Sequence, residues 1–364
     1  MKKFLITIIL FILTLVPVTA DELLPSQTGR VQNVVYEDID YSGVSQTRQV
    51  ADIKLLNGDF KGSLVSIENM LTGNPYYDIP LKKGMTVVLH VENDEDGLVY
   101  SVEDIKRSNS LIFLALIFCG LLVYVGRKKG IYSLFSIVIT CMFIFYLLSP
   151  MILAGIDPVI ATIIICLLST AVTMYLVGGF NKKSTSATLG CTLSLVAAGL
   201  LSFLTVKFAH LTGFSGENSQ FLYSAHPELN FVSIVVATMM LATLGAVMDV
   251  AMSIASTINE IYSVDNTKTV KELFLSGMNV GRDIIGTMAN TLILVYLGGA
   301  LPLLLLASNI DMQKFFNLNQ VVTEISSALI GSSAIVICVP ITAIIASELI
   351  TKVKINTDFT NLKR

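Results

Sequence analysis

The sequence contains no tryptophan and few charged residues, which make up 14% of its 364 positions, whereas 53% of the positions are hydrophobic. A soluble domain carries about a quarter charged residues, so the composition excludes a wholly soluble protein. The net charge is −3, and no basic run interleaved with aromatic residues occurs, which argues against nucleic acid as a partner. The five cysteines lie in apolar segments without the spacing of a metal site, so we expect small core residues and no cofactor.

Residues 1–20 have the pattern of a secretory signal. Lys2 and Lys3 form a basic start, Phe4–Leu15 is apolar, and the small residues at 18–20 suit a cleavage site. We therefore predict a signal peptide over residues 1–20. The segment that follows would be exported even without cleavage, because an uncleaved signal would act as a membrane anchor.

Residues 21–107 are predicted to form a separate extracytoplasmic β-domain. Its hydrophobic residues alternate with other residues, the period of a half-buried strand. Asn57-Gly58 lies between two such runs and indicates a two-residue hairpin. Five short strands in so few residues predict a small closed β-barrel of OB-like or SH3-like type. The predicted strands are 31–36, 50–56, 60–67, 85–91 and 98–102.

Long apolar runs recur from residue 108 onward, and runs of about 20 residues are long enough to span a bilayer. The predicted fold class is therefore an all-α membrane domain at 108–350, with seven transmembrane helices after the exported β-barrel domain and a cytoplasmic tail at 351–364. Seven spans do not divide into two equal inverted halves, so we expect a second subunit to complete any pathway. The predicted spans are 109–126, 131–150, 158–178, 185–207, 231–256, 284–306 and 327–349.

The basic residues of the connecting loops are distributed unevenly. If the β-domain is outside, the loops after spans one, three and five and the C-terminus face the cytoplasm, and these segments carry most of the Lys and Arg residues. Short loops rich in Lys and Arg remain in the cytoplasm. We therefore predict that residues 21–107 lie outside and that the C-terminus lies inside. Basic residues on the predicted inner side include Lys128, Lys129, Lys182, Lys183, Lys268, Lys271 and Lys352.

Two polar stretches interrupt hydrophobic segments, at Gly245–Ser256 and Gly277–Thr291. An ionisable group at membrane depth is costly unless it is paired or hydrated, so it usually faces a partner helix or an aqueous pathway. In each stretch, polar residues recur at three- and four-residue steps, so their side chains share one face of a helix. The two stretches therefore predict an ion or solute site. Its candidate residues are Asp249, Ser253, Arg282, Asp283, Thr287 and Asn290.

Each candidate residue has an expected role. Asp249 would bind an ion or proton, and Arg282 with Asp283 would form an inner gate or ion pair. The hydroxyl and amide side chains would supply neutral ligands. Since span six is predicted to begin at 284, Asp283 is expected at the cytoplasmic start of its helix. An alternative remains open, in which an Asp–Arg pair and polar hydrogen bonds only hold the two helices together.

An enzyme with two catalytic aspartates is a further alternative. Intramembrane aspartyl proteases use two carboxylates that share a proton. Their Gly-x-Gly-Asp sequence is absent, since Val280, Gly281 and Arg282 precede Asp283. The adjacent arginine would also keep this carboxylate ionised. We therefore expect no enzyme activity.

Two patterns flank the second polar stretch. Val270, Leu273 and Phe274 would line one face of a short amphipathic helix that begins near Thr267. Such a helix is predicted to lie along the membrane surface or to dock a cytoplasmic partner. At the other end, Pro302 is predicted to break the hydrogen-bond ladder of the helix.

The two polar stretches also identify a family resemblance. Gly245–Ser256 and Lys271–Leu292 closely resemble the YibE/F-like family of bacterial multi-pass membrane proteins, and the resemblance extends from about Gly29 to Glu348. It implies a protein of the bacterial cell membrane that pairs with a second member of the family. It supplies no catalytic or binding residue, so the candidate site depends on the physical argument.

The leading interpretation is a transporter or permease component in the lipid bilayer, partnered by a second YibE/F-like subunit or by another copy of the chain. The runner-up is a non-transporting scaffold or sensor subunit whose polar helices assemble a complex. The two differ in the role of Asp249. A transporter needs its carboxylate for a ligand, whereas a scaffold needs it for assembly.

Overall fold

A computed structural model describes residues 26–41, 44–94 and 97–361. The predicted signal peptide at 1–20 lies outside the described residues. The chain forms two compact units that divide next to Leu121, inside a long helix. The first unit contains the β-strands, and the second contains most of the helical residues.

The β-strands of the first unit are β1 (Gln27–Tyr41), β2 (Val44–Leu55), β3 (Leu64–Leu71), β4 (Thr86–Asp94) and β5 (Gly97–Ile105). They form one antiparallel sheet in the order β3-β2-β1-β4-β5. The two edge strands, β3 and β5, also contact each other, so the sheet curls into a nearly closed barrel. The predicted small β-barrel is confirmed, and its OB-like or SH3-like type remains a prediction.

Alternate side chains of the strands fill the barrel interior. Val31, Ile53 and Leu89 are almost fully buried, as the two-residue period of a strand requires. Gly29 lies against Ile53 and Leu89, so closely that an added Cβ would overlap the Ile53 side chain. The absence of a side chain at Gly29 therefore lets β1 approach its neighbours in the core.

The connection between β2 and β3 is longer than predicted. It occupies residues 56–63, and Gly58 adopts a positive φ of 82°. The backbone amide and hydroxyl of Thr28 both donate to Asn57 Oδ1, at 2.5 and 3.0 Å. These bonds attach the turn to β1. Because the connection occupies residues 56–63 and β3 begins only at Leu64, the predicted two-residue hairpin and the predicted strand start at residue 60 are both wrong.

Nine α-helical segments and one short 3₁₀ helix, Ala307–Asn309, are described after the barrel. The α-helical segments are α1 (Ser108–Leu153), α2 (Pro158–Gly178), α3 (Lys182–Phe208), α4 (Glu217–Ala225), α5 (Phe231–Val264), α6 (Val270–Gly299), α7 (Leu301–Leu306), α8 (Met312–Phe315) and α9 (Asn319–Asn361). Among the described residues, α1, α2, α3, α5, α6 and α9 are long and apolar enough to cross a membrane.

Helix α1 contains the first two predicted spans, 109–126 and 131–150. Its 46 residues would extend for about 69 Å as a straight helix, more than twice the thickness of the hydrocarbon core. Arg127 leaves the helical conformation, with φ 48° and ψ −129°. A chain reversal at this break would supply the seventh span, and the total of seven remains a prediction.

The core of the second unit is built by α3, α5 and α9, which pack against one another. An added Cβ at Gly190 would overlap Thr342 on α9, so this glycine permits a close approach of two helices. Ser194 and Ser202 on α3 donate to the carbonyls of Gly190 and Ala198, at 2.7 and 2.8 Å, which satisfies their buried hydroxyls. Small residues therefore determine this packing.

Three of the five cysteines behave as predicted. Cys166, Cys191 and Cys338 are buried, and all three belong to one hydrophobic cluster of the second unit. The prediction is wrong for Cys141, which is exposed, while Cys119 is half-buried. Both lie on α1, whose most apolar stretch is only 22% buried.

Helix α6 begins earlier than the span predicted at 284–306. Thr269 and Glu272 form a capping box, in which Glu272 N donates to Thr269 Oγ1 at 3.3 Å and Thr269 N donates to Glu272 Oε2 at 2.8 Å. The helix then continues without interruption to Gly299. The prediction of a separate surface helix near Thr267 is therefore wrong. The predicted break at Pro302 is confirmed, because a new short helix begins at Leu301.

Candidate functional site

One face of α5 is exposed and is made of small or polar residues spaced three or four positions apart. The opposite face packs in the core, where Val247 and Ile254 are fully buried. Asp249 and Ser253 lie on the exposed face, close to the middle of the helix. The exposed positions are Thr238, Ala242, Gly245, Asp249 and Ser253.

A second exposed polar face follows α6. Only 6% of the most apolar stretch of this helix is buried, compared with 50% for α5 and α9. Its buried positions, Leu273, Gly277 and Gly281, lie on the face that contacts the core. The exposed polar face comprises Asn279, Arg282, Asp283, Gly286, Thr287 and Asn290.

The two glycines on the buried face fix the relative heights of α5 and α6. An added Cβ at Gly281 would meet Ile254 Cδ1 at 3.2 Å, and one at Gly277 would meet Ile258 Cδ1 at 2.7 Å. The helices are therefore antiparallel, and Asp283 lies level with residue 252 of α5. At 1.5 Å per residue, the heights of Asp283 and Asp249 along the helices differ by only about 4.5 Å.

The structure thus corrects the expected position of Asp283 along its helix. The predicted span puts this residue at the start of its helix, but α6 begins at Val270. The capping box at Thr269 starts the helix more than three turns before Asp283. Asp249 and Asp283 therefore both lie near the middle of their helices.

The candidate side chains form few hydrogen bonds among the described residues. Arg282 Nη1 donates to Asn279 Oδ1 at 3.0 Å, and Thr287 Oγ1 donates to the Ile284 carbonyl at 3.1 Å. Within the described ranges, the carboxylates of Asp249 and Asp283 form neither an ion pair nor a hydrogen bond. The expected pair of Arg282 with Asp283 is not formed, since adjacent helix positions do not face each other.

The loop between the two polar helices is fixed by its own hydrogen bonds. The hydroxyl and the backbone amide of Thr267 donate to Asp265 Oδ1, at 2.6 and 3.0 Å. These bonds to the ionised form lower the pKa of Asp265 from its ordinary value. The carboxylate of Asp265 therefore accepts hydrogen bonds that hold the turn, whereas the carboxylates of Asp249 and Asp283 accept none among the described residues.

The chemistry of these faces suits a proton or a hard cation. Carboxylate, amide and hydroxyl oxygens are ligands for hard cations, and Asp249, Asp283, Asn290 and Ser253 supply all three kinds. In the described part of the chain, however, no three His, Cys, Asp or Glu side chains lie together as a metal cluster. Instead, the polar side chains of both faces are distributed along the lengths of their helices.

Two residues outside the predicted site lie near the opposite end of α6. Glu324 on α9 and Tyr296 on α6 line the same two cavities. The predicted span seven begins at 327 and does not include Glu324, whereas α9 begins at Asn319. The signal that could have identified it is a single acidic residue between Val321-Val322 and a long apolar run.

Comparison with known families gives two matches. A family model described as YibE/F-like protein matches residues 114–352, and one described as YibE/F family N-terminal domain matches residues 27–105. Together they cover both the barrel and the helical region. Neither curated proteins nor solved structures give a match to the chain.

Proposed function

The chain belongs to the YibE/F-like family, and from this premise we propose that it is a transporter or permease component of the bacterial cell membrane. The six long apolar helices of the described part of the chain, together with its family, indicate a membrane protein. The observation that carries the finer proposal is the pair of exposed polar faces on α5 and α6, with Asp249 and Asp283 near the helix centres. In this proposal, Asp249 binds the transported or coupling ion.

The cost of placing these faces against lipid supports the proposal. An ionised side chain at the centre of a bilayer costs about 2.5–3.5 kcal/mol even on the lowest scale. For Asp249, Arg282 and Asp283 together, this amounts to roughly 8–10 kcal/mol, which is comparable with the whole stability of a typical protein. The two faces therefore need water or a protein partner.

A second subunit would complete the pathway. The faces are exposed in the single chain, so another copy or a second YibE/F-like subunit would enclose water between the polar helices. Glycines at 245 and 286 have open space around them, which would permit a close helix approach. The exported β-domain would recruit the substrate or a partner protein.

Asp249→Asn tests the proposed ion site. We expect ions, pH steps or a polar solute to raise the unfolding temperature of the purified full-length protein and to have no such effect on the variant. A ligand that binds only the folded state adds about 2.7 kcal/mol at a hundred times its Kd, which thermal unfolding measures. Glu260→Gln is the matched control, since it removes an exposed carboxylate near the end of the same helix.

A scaffold or sensor subunit is the second candidate function, and the exposure of α6 favours it. In that case no ligand stabilises the wild type, and Asp249→Asn lowers the mass of the purified complex in light scattering. Retention of the full ligand response by Asp249→Asn would contradict the assignment of the ion site. Loss of the response in Glu260→Gln as well would indicate a general effect of charge.

A further inference from the structure

Two cavities of the second unit, one apolar and one with a mixed polar and apolar lining, share one tyrosine and one glutamate. The first has a volume of about 350 Å³ and the second about 270 Å³. Tyr296 of α6 and Glu324 of α9 line both of them. These two side chains therefore mark the boundary between the cavities.

The first cavity is apolar. Apart from Tyr296 and Glu324, its lining consists of apolar side chains from α6, α7, α8 and α9 and the segments between them. Several of these side chains are exposed, including Leu297, Leu304 and Leu329. An apolar tail would therefore be well accommodated here, because burial of each CH₂ group contributes about 0.8 kcal/mol.

The second cavity has a mixed lining of polar and apolar groups. It lies between α5, α9 and the segment around α4, and Asn218, Thr238 and Thr323 contribute polar groups to its lining. Thr238 is also part of the exposed face of α5 that contains Asp249. Eleven residues separate these two positions, or about 16 Å along the helix, so the cavity is a separate site.

Glu324 has no hydrogen bond or ion pair to any residue that the structure describes, and its side chain is half-buried. A carboxylate in such surroundings is costly unless an opposite charge accompanies it. Tyr296 presents an aromatic ring in the same place, and aromatic rings attract ammonium groups. The boundary between the cavities thus has the features of a site for a cationic head group.

We propose that Tyr296 and Glu324 bind an amphipathic cation, with its ammonium group beside the carboxylate and its apolar tail in the first cavity. Such a ligand carries an apolar tail and a positive charge. The tail matches the apolar first cavity, and the charge matches the Glu324 carboxylate where the two cavities meet. The same chemistry occurs in lipids with an amine head group and in free alkylammonium compounds. This site is independent of the ion site at Asp249.

Binding of decyltrimethylammonium to the full-length protein in a neutral maltoside detergent tests the site. We expect saturable binding of one labelled cation per chain and a loss of affinity of roughly tenfold or more in Glu324→Gln, since the charge partner is removed. Glu228→Gln is the matched control, because Glu228 is exposed, hydrogen-bonds to His226 and does not line these two cavities. This control should bind as the wild type does.

Decyl sulfate, with the same tail and the opposite charge, should show no saturable binding. The proposal is overturned if Glu324→Gln binds the cation as tightly as the wild type does, or if decyl sulfate binds equally well. The second result would indicate a groove that accepts any alkyl chain.

Ala300→Phe provides an independent test that keeps the carboxylate. Ala300 lines the apolar cavity, so a phenyl ring there would occupy the space for the tail. We expect weaker binding of decyltrimethylammonium, by roughly tenfold on the scale of 1.4 kcal/mol per decade. Unchanged affinity in a folded Ala300→Phe protein would overturn the proposed position of the tail.

Competition experiments distinguish the two sources of the ligand. Displacement of the probe by lysophosphatidylethanolamine and not by lysophosphatidylglycerol would support a lipid with an amine head group. Displacement by neither lipid, with the Glu324→Gln effect present, would support a free amphipathic cation. Equal displacement by both lipids would overturn a site that selects positive charge.

Discussion

At the scale of residues, two glycines of α6 have opposite surroundings. An added Cβ at Gly281 would overlap Val339, which is fully buried on α9, whereas one at Gly286 meets nothing within 4 Å. The two positions are less than two turns apart on one helix. Glycine therefore serves close packing at Gly281 and leaves an open, uncovered surface at Gly286.

Gly281→Ala is expected to destabilise the folded protein by about 1–3 kcal/mol, because Val339 and Ile254 must move. Gly286→Ala should leave its stability unchanged or raise it by about 0.5–1 kcal/mol, since alanine is the better helix former. The free energy of unfolding of both variants, measured by denaturant titration, checks the prediction. Equal stability of the two variants would contradict the packing of α6 against α9.

The residue scale also explains why the candidate side chains could be named from sequence but their pairing could not. A charged residue inside a hydrophobic segment is visible in the sequence, as Asp249 and the neighbouring Arg282 and Asp283 are. The partner of Arg282 depends on the direction of its side chain, and the structure gives Asn279 one turn away. The same limit applies to Glu324, because its importance arises from cavities lined by several distant segments.

At the scale of elements, the start of α6 determines where its polar face lies. The capping box of Thr269 and Glu272 satisfies backbone amides that would otherwise have no partner at the helix start. The helix therefore begins at Val270, and Asp283 lies near its centre. Apolar residues alone predict a span that begins at residue 284, because the first half of α6 is more polar than the second half.

Thr269→Ala is expected to destabilise the first turn of α6 by about 1 kcal/mol, because the capping bonds are lost. Such a change corresponds to roughly fivefold faster amide exchange in that turn if the turn opens locally. Hydrogen–deuterium exchange of the peptides that cover residues 270–276 measures it. Lys271→Ala is the control, since Lys271 is exposed in the same turn, and equal exchange in both variants would contradict the role of the cap.

Helix α1 shows a second limit of prediction from sequence at the scale of elements. Its apolar residues predict two spans, while the backbone leaves the helical conformation only at Arg127. Hydrophobicity alone gives the length of an apolar run, but the direction of the chain after a break depends on its surroundings.

At the scale of the whole molecule, the distribution of basic residues predicts the orientation in the membrane. Lys182, Lys183 and Lys268 lie in or beside loops that would face the cytoplasm. The β-barrel, which belongs to a recognised N-terminal domain of the family, would then lie outside. This orientation is testable without any knowledge of the ligand.

Lys61→Cys and Asn266→Cys, in a protein whose native cysteines are replaced by alanine, report the two sides. Both positions are exposed, one in the barrel and the other in the loop between α5 and α6. In intact bacterial cells, a membrane-impermeant maleimide should label Lys61→Cys, whereas Asn266→Cys should react only after the membrane is disrupted. The reverse pattern would contradict the predicted orientation.

The sequence by itself determined the class of the protein and the position of its polar residues. Runs of apolar residues require burial in lipid or protein, and alternating residues require a sheet with one buried face, so the helical region and the small barrel followed from local patterns. Only the tertiary structure decided which faces are covered. Burial depends on neighbours distant in the chain, as Gly281 with Val339 and Tyr296 with Glu324 show. For that reason the exposed faces of α5 and α6, and the two cavities that meet at Glu324, became evident only in the folded chain.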